Sequence, residues 1–271
     1  MPIVTLSTDI GQQDYIVGAI KGQLLQSVNN ISVTDITHYL LPFNYAHAAY
    51  VCGNAFPYYP PDTFHIILLD AFSGNKRFIM ARVNNQWVIC PDNGIIGLVF
   101  GSLPSSFKII SFPTQQAHIL AITQTIANTI RDTVKEGWGQ MQTNDKLLER
   151  VSLKPTIGNN WMEGQILFID HFENVIINIT KEEFEANRKG RSFKILFKRD
   201  ESIDTIKEHY GAVNESEMVA FFNAAGYLEI AINKGNMAGL FGLKRYNEIA
   251  DHQIQSTQYK WFYHTVRVYF E

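Results

Sequence analysis

The sequence predicts an α/β fold in two parts: an N-terminal, mainly parallel sheet flanked by helices, then a smaller, mostly β C-terminal domain. Two observations carry this. Through the first half, short β-branched runs alternate with longer amphipathic ones, the rhythm of βαβ units. From about Trp161 onward only short, strand-like runs follow.

The elements follow in order. Ile3 to Ser7 is a first strand, Asp14 to Val28 a helix, Ile31 to Ile36 a second strand, Tyr45 to Phe56 a helix, and Phe64 to Leu69 a third strand. Pro91-Asp92-Asn93-Gly94 is a turn that opens a helix through Phe100, and His118 to Val134 has helical periodicity. The polar, Gly-containing segment Lys135 to Lys146 ends the alternation, so the domains are expected at 1–150 and 151–271. In the second domain Gln165 to Ile169, Val175 to Ile179, Phe193 to Phe197, Val219 to Asn223 and Tyr227 to Ile232 read as strands, and Tyr259 to Phe270 as a terminal one.

Composition narrows the function. With 271 residues, 46% of them hydrophobic, the chain can fill the cores of two domains. It has no apolar run near the roughly 20 residues that cross a bilayer, and its start lacks a signal-like pattern, so a cytoplasmic location is expected. A formal charge of −3 with both signs dispersed gives no basic footprint for nucleic acid or membrane. Cys52 and Cys90 sit in apolar surroundings, match no zinc spacing, and read as buried thiols. The expected partner is therefore a small molecule.

Several constellations lie where predicted strands end, the edge at which open parallel sheets bind ligands. Thr8-Asp9-Ile10-Gly11 with Asp14 offers two carboxylates for hydroxyls or an amine, or else a turn and a helix cap. Asp35-Ile36-Thr37-His38 precedes Phe43; His38 reads as a structural hydrogen-bonding group, and Phe43 as either a flat surface for a sugar or a core residue. Asp70, with Arg77 seven residues later, suits a charge-assisted pair that positions water, or a surface ion pair. Asp170 and Asn174 surround a tight turn, and Phe222 to Asn233 is a hairpin turning near Gly226.

Taken in this order, Thr8 to Gly11, Asp35 to His38, Pro91 to Gly94, Phe168 to Asn178 and Tyr227 to Asn236 resemble the S-adenosylmethionine hydroxide adenosyltransferase family, which is related to fluorinating and chlorinating enzymes. The resemblance implies hydrolysis of S-adenosyl-L-methionine to adenosine and L-methionine, without metal or organic cofactor. It implies an Asp, Arg and His catalytic set matched by Asp70, Arg77 and His118. It also places Asp9 at the ribose hydroxyls, Phe43 beside the ribose, Asn174 near the adenine, and Asp14 with Asp170 at the methionine ammonium. Members are usually trimers, so a homotrimer is expected.

The chain departs from the family in three places. The Asp70 to Arg77 loop reads Ala71-Phe72-Ser73-Gly74-Asn75-Lys76 where D-P-G-V-G is usual. His118 stands in Ala117-His118-Ile119-Leu120-Ala121 rather than F-H-G-R-D, and Ala224 replaces a frequent hydroxyl. Asp70 favours hydrolysis over halide transfer. Two further rivals are a calcium-dependent nucleoside hydrolase, against which Ser7 and Tyr15 stand where carboxylates are wanted, and a diverged adenosyl-binding protein with little turnover.

Overall fold

The computed structural model describes residues 1–75, 77–112, 118–139, 145–198, 201–243 and 265–271. The chain divides into two compact units, Met1–Ser152 and Leu153–Glu271.

The first unit is a six-stranded sheet with helices on both faces. Its elements are β1 (Ile3–Thr8), α1 (Ile16–Ser27), β2 (Ser32–Thr37), α2 (Tyr45–Ala55), β3 (Phe64–Leu68), β4 (Phe78–Val83), β5 (Gln86–Pro91), α3 (Ile95–Phe100), β6 (Phe107–Ile110) and α4 (Ile119–Glu136). The strand order is β2-β1-β3-β5-β4-β6. The β1–β2, β1–β3 and β3–β5 pairings are parallel, whereas β4 pairs antiparallel with β5 and β6.

Alternation of side chains across the pleat gives each face its own core. Leu6, Ile66, Leu68, Phe78 and Met80 meet Ile20 and Leu24 of α1 and Ile122, Ile126 and Ile130 of α4. Ile67, Ile79, Ala81 and Val88 meet Ala48 and Cys52 of α2 and Ile95 and Ile96 of α3. Every residue of β3 is buried, as expected of a strand covered on both sides. Each fully buried Leu or Ile contributes about 2 kcal/mol. The runs that form β4, β5 and β6 carry no βαβ rhythm and are not among the predicted strands. Cys52 and Cys90 are free thiols, fully buried as expected.

The second unit is an antiparallel sheet that nearly closes into a barrel. It contains β7 (Thr156–Ile157), β8 (Trp161–Ile169), β9 (Val175–Thr180), α5 (Lys181–Arg188), β10 (Phe193–Lys198), β11 (Glu201–Ile203), β12 (Met218–Phe222), β13 (Tyr227–Ile232), the short α6 (Met237–Leu240) and β14 (Thr265–Phe270). The order runs β11-β10-β14-β8-β9-β13-β12, and a bridge from Ile206 to Ala220 brings the segment after β11 to β12 at the opposite edge. Residues 259–264 of the expected terminal strand lie outside the described residues.

The helix α5 starts at a reciprocal cap. The Thr180 hydroxyl accepts from the Glu183 N–H at 3.2 Å while the Glu183 carboxylate accepts from the Thr180 N–H at 3.1 Å. That start fixes Phe184, which packs edge-on against Phe193, Phe222 and Phe270.

Candidate active site

In the first unit the carboxyl ends of parallel neighbours bring two carboxylates together. Thr8 of β1 lies opposite Leu68 of β3, so Asp9 and Asp70 leave the sheet side by side. The Asp9 Oδ2 accepts from the Asp70 N–H at 2.9 Å. Burial pushes the Asp9 carboxyl above the ordinary aspartate range; the backbone donor opposes this and the Asp70 charge adds to it. Asp70 itself has a left-handed backbone, φ 48°. Its Oδ2 accepts from the Tyr45 hydroxyl at 2.7 Å, and its carbonyl accepts from the Ser73 N–H and hydroxyl at 3.1 and 3.0 Å.

The expected Asp70–Arg77 pair does not form. Arg77 Nε donates to Asp92 Oδ2 at 2.8 Å, and its other nitrogens reach Asp145 Oδ2 at 3.5 Å and the Lys146 carbonyl at 3.1 Å. The physical reason is that Asp92 is 2% exposed and its carboxylate needs donors. Asn75 Nδ2 and the Leu148 N–H supply two more, at 2.7 and 2.9 Å. Arg77 thus ties the end of the Asp70 loop to the turn Pro91 to Gly94. His118 is exposed and caps α4, its Nδ1 accepting from the Ala121 N–H at 3.3 Å.

Around the carboxylates, Phe43 is 64% exposed with φ 61°. It is therefore not the core residue that an aromatic before a helix usually becomes, and a left-handed bulky residue is a strained feature of the kind found at functional sites. Asp14 is exposed, and its Oδ1 accepts from the Tyr15 N–H at 2.5 Å beside the start of α1. His38 is buried and structural: Nδ1 meets the Thr8 hydroxyl at 3.0 Å and Nε2 lies 3.0 Å from Asp35 Oδ1. Its carbonyl takes the Gly11 N–H at 2.7 Å, which fixes the loop carrying Asp9. Burial would raise the Asp35 carboxyl, but hydrogen bonds from Lys21 and His38 prevail and hold it below its ordinary value.

In the second unit Asp170 and Asn174 lie in the turn between β8 and β9. Asp170 Oδ1 accepts from the Phe172 and Asn174 N–H groups at 2.9 and 2.8 Å. The Asn174 side-chain nitrogen donates to Asp170 Oδ2 at 3.2 Å and to the buried Glu229 Oε1 of β13 at 2.9 Å. Burial raises the Glu229 carboxyl above its ordinary range, against hydrogen bonds from Asn223 and Asn174. Both amide protons of Asn174 are committed to carboxylates, which orients its carboxamide. Among the described residues, no group of three or more His, Cys, Asp or Glu is placed to hold a metal ion.

Residues 4–134 match the N-terminal domain, and residues 164–250 the C-terminal domain, of SAM hydroxide adenosyltransferase. The chain belongs to the SAM hydroxide adenosyltransferase family. It is 26% identical over 267 residues to a protein of Methanocaldococcus jannaschii named (R)-S-adenosyl-L-methionine hydrolase, covering 92% of this chain and 95% of that one. A relative of the same name from Thermus thermophilus is 26% identical, covering 90% and 96%. A fluorinase of Actinoplanes sp. is 21% identical, covering 90% and 95%. A crystal structure of an uncharacterized conserved protein from Thermotoga maritima shares the fold with a TM-score of 0.76 at 22% identity, covering 98% of this chain and 99% of that one.

Four residues that pack around the candidate ones carry no signal as site residues in the sequence, or only a weak one. Asp92 read only as part of a turn, and Tyr45 only as the start of a helix. Glu229 had a signal: an acid inside the apolar strand YLEIAI needs a buried partner. Arg150, whose guanidinium lies 3.7 Å from the Tyr45 ring centre, had none.

Proposed function

We propose that this chain hydrolyses S-adenosyl-L-methionine to adenosine and L-methionine by attack of water on the ribose C5′. Family membership across both domains supports this substrate class. The observation that carries the choice of water is Asp70, at the sheet's carboxyl edge: Tyr45 engages its Oδ2, and among the described residues no hydrogen bond is made to Oδ1. In the step, water oxygen bonds to C5′, the C5′–S bond breaks with its electron pair going to sulfur, and Asp70 accepts the water proton. The sulfonium leaves as a neutral thioether and needs no acid. Holding the nucleophile in line is worth up to about 10 kcal/mol.

Asp9, Asp14, Phe43, Asp170 and Asn174 are substrate-binding residues of this proposal, in the roles that the resemblance implies. Arg77 enters it as a positioning residue, through Asp92 and the Asp70 loop, and His118 as the third member of the set. A homotrimer belongs to the same reading; sedimentation at the mass of a single chain would remove it.

The test is incubation with S-adenosyl-L-methionine in halide-free buffer, following adenosine and methionine together, with Asp70→Asn as control. The relatives' names point to the R configuration at sulfur, so each sulfonium epimer is assayed separately. Equimolar products, reduced on the order of a hundredfold or more in Asp70→Asn, are the expected result. A second reading, an adenosyl-binding protein with little turnover, is favoured by the commitment of Arg77 to Asp92. Measurable binding with unchanged substrate would establish it instead.

A further inference from the structure

We propose that Tyr45 is a positioning residue for this reaction: its hydroxyl holds one oxygen of Asp70 so that the other receives the proton of the attacking water, and Arg150 holds the phenol in place. The proposal rests on the hydrolase reading above. Asn44 caps α2, accepting from the His47 N–H at 2.9 Å, which makes Tyr45 the first residue of the helix. The Tyr45 ring is buried in the core beneath that face of the sheet. Its hydroxyl has two neighbours, Asp70 Oδ2 at 2.7 Å and Ser73 Oγ at 3.4 Å. The Ser73 proton goes to the Asp70 carbonyl, and the carboxylate is the nearer acceptor, so the phenol proton is given to Asp70. Burial raises the phenol's pKa above its ordinary value, so it stays a donor.

The ring is itself held. The Arg150 guanidinium stacks 3.7 Å from its centre while Arg150 Nε donates to the Asn93 carbonyl at 2.6 Å. Asn93 Nδ2 in turn donates to the Leu69 carbonyl at 2.9 Å, next to Asp70. Space for the arginine is provided by Gly94, where a Cβ would lie 2.5 Å from Arg150 Cγ. The chain of contacts runs from Asn93 through Arg150 and Tyr45 to the carboxylate and back to the strand end that bears it. An apolar phenylalanine would fill the same space without the hydrogen bond, leaving Asp70 to rotate.

The experiment is a kinetic double-mutant cycle on the full chain with Tyr45→Phe and Asp70→Asn, measuring kcat and KM for S-adenosyl-L-methionine, with thermal unfolding of each variant as a fold check. The expected result is a kcat lowered on the order of tenfold to a hundredfold in Tyr45→Phe, with KM unchanged and no further loss when it is added to Asp70→Asn. Wild-type turnover in Tyr45→Phe, or a loss that multiplies with that of Asp70→Asn, overturns the positioning role and leaves the hydrolase reading standing. A wild-type protein that releases no adenosine overturns both. Should Tyr45→Phe not fold, Arg150→Gln keeps the phenol; a several-fold lower kcat that vanishes as an effect in the Asp70→Asn background supports the proposal, and full activity overturns it.

Discussion

Arg77 lies at the residue where spacing and structure part. Seven residues separate it from Asp70, yet its guanidinium serves the buried Asp92. Removing it takes the cationic partner from a buried carboxylate that keeps only the neutral donors of Asn75 and Leu148, a loss of up to about 3 kcal/mol. Chemical denaturation of Arg77→Gln is expected to show that loss, with activity falling alongside stability; unchanged stability would return Arg77 to a purely chemical role. The cysteines make a second prediction at this scale. Burial pushes the Cys52 thiol up to about 12 and Cys90 higher still. Since the thiolate is the reactive form, a thiol reagent at pH 8 is expected to label both only after unfolding. Labelling of the native protein would show that α2, which carries Cys52, or β5, which carries Cys90, opens.

At the scale of elements, the loop between β3 and β4 carries Asp70, the base of the proposed reaction, and depends on one glycine. Gly74 has φ 67°, and a Cβ there would lie 2.5 Å from the Asp92 carbonyl oxygen and 2.9 Å from Asn93 Cα. Both are backbone atoms of the Pro91 to Gly94 turn, so the loop packs directly on that turn. Gly74→Ala is expected to cost more than about 2 kcal/mol, from left-handed strain and the clash together, and to lower turnover with it; urea unfolding and the adenosine assay check both. The turn from Pro91 to Gly94, legible in the sequence only as a turn, is thus also the support of the Asp70 loop. The βαβ elements were legible because hydrophobic period and β-branching agree there. The β4–β5 hairpin was not, because its residues are apolar on both faces and the period-2 signal is lost.

Across the whole molecule, buried histidines set the response to acid. Burial pushes His47 down to about 4, and does the same to His65 against a hydrogen bond from Gln86. The unfolded chain then binds more protons than the folded one below the ordinary histidine value of about 6.5, so stability falls as the pH is lowered. The loss begins near the unfolded value and grows until both folded histidines titrate near 4, with each unit of depression worth about 1.4 kcal/mol. Asp9 and Glu229, raised by burial, act in the opposite direction as they protonate. Calorimetry is expected to show the melting temperature dropping between pH 6.5 and about 4; a flat profile would mean that the carboxylates compensate fully.

The sequence by itself determined the α/β class, the strand ends at which Asp9 and Asp70 stand, the turn around Asp170 and Asn174, the buried thiols and the family, because each depends on local periodicity, turn chemistry or motif order. Only the tertiary structure decided who partners whom. Arg77 joins Asp92, Tyr45 joins Asp70, and Glu229 joins Asn174, across 15, 25 and 55 residues of chain. Such choices follow from which polar groups burial leaves in need of a partner, and that need arises only once parallel strand register and packing have brought distant segments together.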